Sequence, residues 1–371
     1  MEIKTPAFVL NEAQLLQNLT TLASIREQSG CKILYAIKAL PCVKVLEIAK
    51  PFVNGFAVSS LFEAHLAREV LAGEGEVHLT SPAFLAQELY ELSALCTHIN
   101  FNSLSQHARF SDAVEAQTQV GLRVNPKISV ACDERFNACR QHSKLGVNID
   151  TLWHSNHIEQ IQGLHFHTVF GATDFKPLLE TIEKLRSYFG NSLKNLKWLN
   201  FGGGYLFHKI ENHQPFIDLV IDLKRELNID CYLEIGNGVV GNAAQIVASV
   251  IDVFESDSKT IAILDTSVNH NPEVFEYQRS PIVREHNENG RFSAILAGGT
   301  CLAGDIFGQY RFQHPLQIGD QITFENVGAY SLIKASRFNG HNLPSIYLQR
   351  ENGQIELIKA YGYQDFLQQW G

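Results

Sequence analysis

The sequence predicts a (β/α)8 barrel followed by a C-terminal all-β domain, and three observations carry that prediction. Eight short β-rich runs recur between Cys31 and Glu234, with stretches between them that read as helices. After about residue 243 the texture changes to β pieces separated by turn signals. The chain has 371 residues, 45% of them apolar, which is ample for the cores of two domains.

Taken in order, the opening run PAFVL reads as a strand belonging with the later β pieces. Asn11 then caps a helix whose Leu15, Leu19, Leu22 and Ile25 fall on one face and which stops at Gly30. The eight runs are ILYAI (33–37), FAVS (56–59), VHLT (77–80), HINF (98–101), VGLRV (120–124), IQGLHFH (161–167), LKWLNF (196–201) and CYLE (231–234). Between the sixth and seventh, 173–190 repeats the helical pattern with Leu178, Ile182, Leu185 and Phe189. The β pieces after the barrel are IVASVIDVF, TIAIL, FSAIL, DQITFENV, PSIYLQ and QIELIKAYG. The expected domains are a barrel over 11–243 and a β domain over 244–371, joined by the strand in 1–10.

Composition excludes several classes. A formal net charge of −9 argues against a broad grip on nucleic acid or an anionic membrane, and it suits a small cationic substrate. The start MEIKTPAFVLNEAQ lacks a basic segment followed by an apolar core, and no stretch reaches the roughly 20 apolar residues of a membrane span. The expectation is a soluble cytoplasmic protein. Cys31, Cys42, Cys96, Cys132, Cys139, Cys231 and Cys301 form no disulfide rhythm and no CxxC pair, so most read as reduced core thiols.

Active sites of such barrels sit at the C-terminal ends of the strands. Those positions hold Lys38, Ser59-Ser60 with Glu63, Thr80-Ser81, Asn102-Ser103, Arg123 with Asn125, His165, His167, Gly202-Gly203-Gly204, and Glu234 with Gly236. Lys38 closes an apolar strand, where a desolvated amine would favour Schiff-base chemistry; alone it reads first as a solvated strand-end lysine, and the other strand-end residues reverse that order. The triple glycine follows the seventh strand, where backbone N–H groups of these barrels often gather a phosphate, although a tight turn has the same composition. Glu234 ends the eighth strand, where a carboxylate could keep a pyridine nitrogen protonated or pair with Arg123. His165 and His167 share one side of their strand. His167 is read as a ring stacked on a flat cofactor and His165 as a hydrogen-bonded core residue, with no ligand set for a metal around them.

With these residues placed, the chain resembles the fold type III pyridoxal-phosphate decarboxylases, and within them the carboxynorspermidine/carboxyspermidine branch. The matching segments are LYAIKAL, SSLFEA, GLRVNP, LGV, GLHFH, LKWLNFGGGY, AILD, GTCLAGDIFGQY and GAYSLIKASRFNG, in order over nearly the whole chain. The resemblance implies a barrel of the alanine-racemase type with a β domain, pyridoxal 5′-phosphate as cofactor, and a homodimer with shared active sites. It implies that Lys38 is the Schiff-base lysine, that His167 stacks on the ring and that Glu234 holds its nitrogen. Gly203, Gly204 and Tyr330 would hold the phosphate, and Gly236 would be a further cofactor-binding residue. Cys301 would reach in from the other subunit to protonate the product carbanion. Leu302 follows that cysteine where ornithine decarboxylases carry aspartate, which moves the amine-binding role to Asp305, with Glu273 a further candidate.

The chain also departs from the pattern. It has Ile235 and Asn237 after Glu234, Phe170 and Gly171 in place of a Cys-Glu pair, Gly299 before Thr300-Cys301, and the expected arginine near Pro281 shifted to Arg279. Lost pocket acids leave room for a different amino acid as the substrate decarboxylated. A racemase is disfavoured because racemases of this fold put arginine on the pyridine nitrogen. A non-catalytic cofactor-binding protein would resemble a lone barrel.

Overall fold

The computed structural model describes residues 2–128 and 133–371. Cys132, read above with the core thiols, lies outside them. The chain forms two compact units, Gln17–Val239 and a second made of Met1–Leu16 with Val240–Gly371.

The first unit is a closed barrel of eight parallel strands: Lys32–Ala36, Gly55–Val58, Glu76–Thr80, His98–Phe101, Gln119–Asn125, Gly163–His165, Trp198–Asn200 and Asp230–Ile235. Each overlaps one of the eight runs read from sequence. The fourth strand pairs with the fifth, and the eighth with the first, placing Glu234 opposite Leu34. Helices between strands start on local caps. Ser60 Oγ accepts from Glu63 N at 3.3 Å while Glu63 Oε2 accepts from Ser59 N at 2.7 Å, opening the helix Leu61–Leu71. Ser103 and Gln106 repeat the device at the helix Leu104–Phe110. Ser60, Glu63 and Ser103, candidates for chemistry by position, are therefore helix caps.

The barrel interior packs around Trp198. A Cβ at Gly121 would come within 2.3 Å of the indole and one at Gly163 within 2.0 Å, so the fifth and sixth strands are bare where the ring lies. Leu34, Ala36, Ala57 and Tyr232 complete this cluster. At the N-terminal ends of the strands the interior turns polar. Lys32 Nζ lies 2.8 Å from Glu76 Oε1, 2.9 Å from Asp230 Oδ2 and 3.0 Å from Tyr232 Oη, and the Tyr232 hydroxyl donates to Glu76 Oε2 at 2.7 Å. His78 and His98 stack beside them with centroids 3.8 Å apart.

The second unit is a nine-stranded mixed sheet. Ala7–Asn11 pairs antiparallel with the long strand Ala244–Ser256 and parallel with Ser345–Gln349, so the opening strand is a member of this sheet. Asn11 N also donates to Ala243 O, and Arg350 pairs with Glu12 at 2.6 Å, which ties the start of the first helix (Glu12–Ser29) to this unit. Four elements escaped sequence reading: the strand Ile306–Phe312, which lies inside the GTCLAGDIFGQY motif, the short strand Ile282–Val283, and the helices Glu273–Tyr277 and Tyr363–Trp370 in a region judged nearly free of helical pattern. Among the described residues, no helix is long and apolar enough to cross a membrane.

Two outcomes follow for stability. Gly163→Ala should lower the unfolding midpoint in urea by the equivalent of about 1–3 kcal/mol, because the new methyl has only the Trp198 ring to displace. His98 has a pKa pushed down to about 2, by burial first and His78 second. The unfolded histidine takes up its proton near pH 6.5, and the folded one does not. Stability is therefore full above pH 6.5 and falls by about 1.4 kcal/mol per unit as pH drops below it. His98→Phe should flatten the slope of stability against pH between 6.5 and 5 by one proton; an unchanged slope would count against a buried neutral His98.

Candidate active site

At the C-terminal mouth of the barrel lies a cavity of about 330 Å³, lined by Lys38, Arg123, His165, His167 and Glu234 with Ser59, Thr80 and the segment carrying Phe136. Six strand ends thus converge, as the sequence predicted. Lys38 sits on a tight turn, Ile37–Ala39, after the first strand. Its side chain is exposed, not desolvated as expected, because this turn swings it out of the apolar strand into the open mouth.

Glu234 is 5% exposed. Burial opposes its ionisation, but His165, Lys38 and His78 hold the carboxyl well below the ordinary range. Its Oε1 accepts from Asn200 Nδ2 at 2.9 Å and lies 3.6 Å from His165 Nε2. His165 is thus not the hydrogen-bonded core residue expected: among the described residues neither ring nitrogen has a hydrogen-bond partner, and the ring faces Glu234. Burial keeps it neutral. Arg123, nearly buried, lends its charge to Glu234 across the cavity and forms no ion pair among the described residues.

The His167 ring is fixed by a backbone donor. Gly203 N donates to His167 Nδ1 at 2.9 Å, so Nδ1 is unprotonated, and burial and then the nearby Lys38 charge push the imidazole pKa far below its usual value. This bond corrects the role expected of Gly203, whose amide is committed to His167. Gly203 is required for space, since a Cβ there would come 1.9 Å from Glu234 O. Gly202 N is likewise committed, to Asn200 Oδ1 at 2.9 Å. Gly204 has a left-handed φ of 99°, a Cβ there would meet Val169 O at 2.2 Å, and among the described residues its N–H has no partner. It is the member of the triple glycine free to meet an anion. Gly236 packs against Ala39, with 2.8 Å between a Cβ built there and that of Ala39.

Phe170, one of the departures, is not an empty replacement. Its ring stacks on the cavity-lining Phe136 at 4.2 Å and 13°, so an apolar wall stands where the family pattern has a polar pair.

The remaining candidates belong to the second unit. Tyr330 holds a left-handed φ of 59°, a strained conformation for tyrosine, and burial, with Glu273 and Tyr277 nearby, pushes its hydroxyl up to about 12. Glu273 is half-buried; burial raises its carboxyl, and Lys334 and Arg279 offset part of that. Arg279 is exposed and lies 5.7 Å from the Tyr277 ring. Cys301 is exposed, and its N–H donates to Asn339 Oδ1 at 2.8 Å. Asp305 corrects an expectation. It is 3% exposed, and its carboxylate accepts from Val268 N at 2.8 Å, Thr300 N at 3.1 Å and Thr300 Oγ1 at 2.5 Å. A buried carboxylate that holds Val268 and Thr300 shapes the Cys301 turn and is committed to these internal bonds.

Sequence reading missed Asn200 and the interior polar layer. Glu76, His78 and His98 bring ligand atoms within 4.8 Å of one another. The Lys32 ammonium already sits on Glu76, and the two stacked rings, 22° from parallel, do not aim lone pairs at one point, so the cluster is an ion-pair layer. The signal was the alternation Glu76-x-His78, which turns two polar side chains inward on a barrel strand.

A closed parallel barrel whose mouth gathers a lysine, a buried ionised carboxylate, a neutral histidine and a glycine turn defines a class of cofactor-dependent enzyme. The model of the pyridoxal-dependent decarboxylase pyridoxal-binding domain matches residues 16–234, and the chain belongs to this family of pyridoxal-phosphate enzymes. The chain is 34% identical to the carboxynorspermidine/carboxyspermidine decarboxylase of Campylobacter jejuni, covering 98% of each. It is 31% identical to the carboxyaminopropylagmatine decarboxylase of a Synechocystis species, over all of this chain and 96% of the relative. The crystal structure of Campylobacter jejuni carboxynorspermidine decarboxylase with norspermidine superposes with a TM-score of 0.91 at 32% identity, over 99% of this chain and 100% of that one.

The residues fit pyridoxal phosphate on the structure's own terms: a buried carboxylate held charged, a glycine that tolerates no side chain beside an uncommitted N–H, and an amine at the same mouth. Protein loaded with the cofactor should show its visible absorbance, and Lys38→Ala should lose it. A retained band would mean that another lysine carries the attachment.

Proposed function

We propose that the chain decarboxylates carboxynorspermidine or carboxyspermidine to norspermidine or spermidine in polyamine synthesis, as a cytoplasmic homodimer. The observation that carries this reading is the near-complete coverage at 34% identity by a relative of that name. When bound, the cofactor withdraws the electron pair left at the α-carbon as carbon dioxide departs. The protein's part is positioning. Lys38 would attach the cofactor, Glu234 would receive the ring N–H, His167 would stack on the ring, Gly204 and Tyr330 would hold the phosphate, and Gly236 would be a further cofactor contact. The strained backbone of Tyr330 supports its place in that set. Cys301 of the partner subunit protonates the α-carbon; its exposure on this chain suits a thiol completed by a second copy. Glu273 and Arg279 are assigned to contact with the substrate. The two units are read as cofactor domain and β domain.

A second reading has a specific observation behind it, since the carboxyaminopropylagmatine decarboxylase is nearly as similar and is covered as fully. Carbon dioxide release from carboxynorspermidine, carboxyspermidine, carboxyaminopropylagmatine, ornithine, lysine and diaminopimelate separates the two. Turnover fastest on either of the first two supports the proposal, and a preference for the third or for a simple amino acid overturns it. Mixing Lys38→Ala with Cys301→Ala protein should restore activity that neither variant shows alone; no recovery would reject sites shared between subunits.

A further inference from the structure

Asn200 is the last residue of the seventh barrel strand and is fully buried. Its side chain makes two bonds in opposite directions. Nδ2 donates to Glu234 Oε1 at 2.9 Å, and Oδ1 accepts from Gly202 N at 2.9 Å. The amide orientation is not free: a backbone N–H can only donate, so the oxygen must face Gly202 and the nitrogen must face Glu234. The second amide hydrogen lies toward His78 Nδ1 at 3.5 Å. His78 in turn meets Glu76 Oε2 through Nε2 at 3.2 Å, and Lys32 closes the chain on Glu76. The side chain is thereby braced from the ion-pair layer at the other end of the barrel.

We infer that Asn200 is a positioning residue that couples the two ends of the cofactor site, holding the Glu234 carboxylate for the ring nitrogen and the first glycine of the phosphate-side turn with one planar amide. This rests on the reading that Glu234 and the triple glycine receive the cofactor. The chemistry explains why an amide stands there. Aspartate would keep the acceptor for Gly202 but set a second negative charge on Glu234. A hydroxyl would be too short to span both partners. Only the amide supplies one donor and one acceptor, fixed in one plane, without adding charge.

The geometry separates the two functions by substitution. Asn200→Asp keeps the acceptor and removes the donor; Asn200→Ala removes both. The measurement is the affinity of the apo chain for pyridoxal phosphate and for pyridoxal, followed by absorbance over a range of pH, with folding of each variant checked by circular dichroism. Glu234→Gln is the reference: it should weaken both ligands in the same proportion. Asn200→Asp should likewise leave the ratio of the two affinities near that of the parent. It should also move the acid limb of binding to higher pH, because the new charge joins the field of Lys38, Arg123, His165 and His78 that faces Glu234. Asn200→Ala should weaken both ligands and in addition reduce the preference for the phosphorylated one, by roughly tenfold for a buried hydrogen bond of this kind. If Glu234→Gln changes neither affinity, the reading of the site itself is wrong. If Glu234→Gln behaves as stated while Asn200→Ala leaves the ratio of affinities intact and Asn200→Asp leaves the acid limb in place, Asn200 is only structural and the inference is overturned.

Discussion

The constraint on which the site depends is a carboxylate that must stay charged inside a barrel. Moving an ion of this size out of water is opposed by several kcal/mol unless donors and opposite charges surround it. Glu234 is so surrounded. Asn200 donates to it, His165 faces it, and the charges of Lys38 and Arg123 point at it from two other strands. The arrangement is asymmetric by design of the strand positions. Two of these neighbours, His165 and Asn200, are neutral, so they stabilise the charge without cancelling it, and the carboxylate retains an electrostatic pull for a cationic ring nitrogen.

The same demand explains why the interior is polar over much of its depth. Barrels of this kind are usually filled by branched apolar side chains in layers. Here one large apolar ring, Trp198, seated over two glycines, fills the width of the barrel, and it leaves room beside it for Asn200, His78 and Glu76. Hydrogen bonds from His78, Lys32 and Tyr232 offset burial and bring Glu76 down to about 2. Asn200, His78, Glu76, Lys32 and Tyr232 form a bonded chain, which is what low dielectric requires of buried polar groups. The packing of Trp198 and the charge on Glu234 are therefore parts of one solution.

Much of this was legible in the sequence, for stated physical reasons. All eight barrel strands could be read because short, continuously buried β-rich runs and intervening amphipathic helices leave strong local patterns, as in Leu178, Ile182, Leu185 and Phe189 on the helix Lys176–Phe189. The residues at strand ends could be read because the fold places function there. What could not be read depended on partners distant in the chain. Asp305 looked like a free acid until Val268 and Thr300 were seen to occupy it. Gly203 looked like an anion-binding amide until His167 claimed its N–H. Lys38 was expected to be desolvated because its strand is apolar, but a three-residue turn decides its exposure. Asn200 escaped because a buried asparagine beside a glycine turn has no one-dimensional signature.

The charge balance of the cavity bears on how a polyamine could be chosen. Lys38, Arg123, Arg140 and Lys144 line it, Arg135 is paired with Asp133, and Glu234 is the one acid among its described residues. Such a wall attracts the anionic parts of its ligands, the cofactor phosphate and the substrate carboxylate, and repels a chain of ammonium groups. The Phe136–Phe170 stack adds an apolar surface along which methylene segments between amines can lie. Discrimination among amines of different spacing therefore cannot come from the barrel cavity by itself and must be supplied by acids outside it. With Asp305 bonded to Val268 and Thr300, Glu273 is the candidate in the second unit that retains a carboxylate near cationic neighbours, Lys334 and Arg279. The barrel cavity thus holds the anionic ends of its ligands, the part of recognition on which the reaction depends.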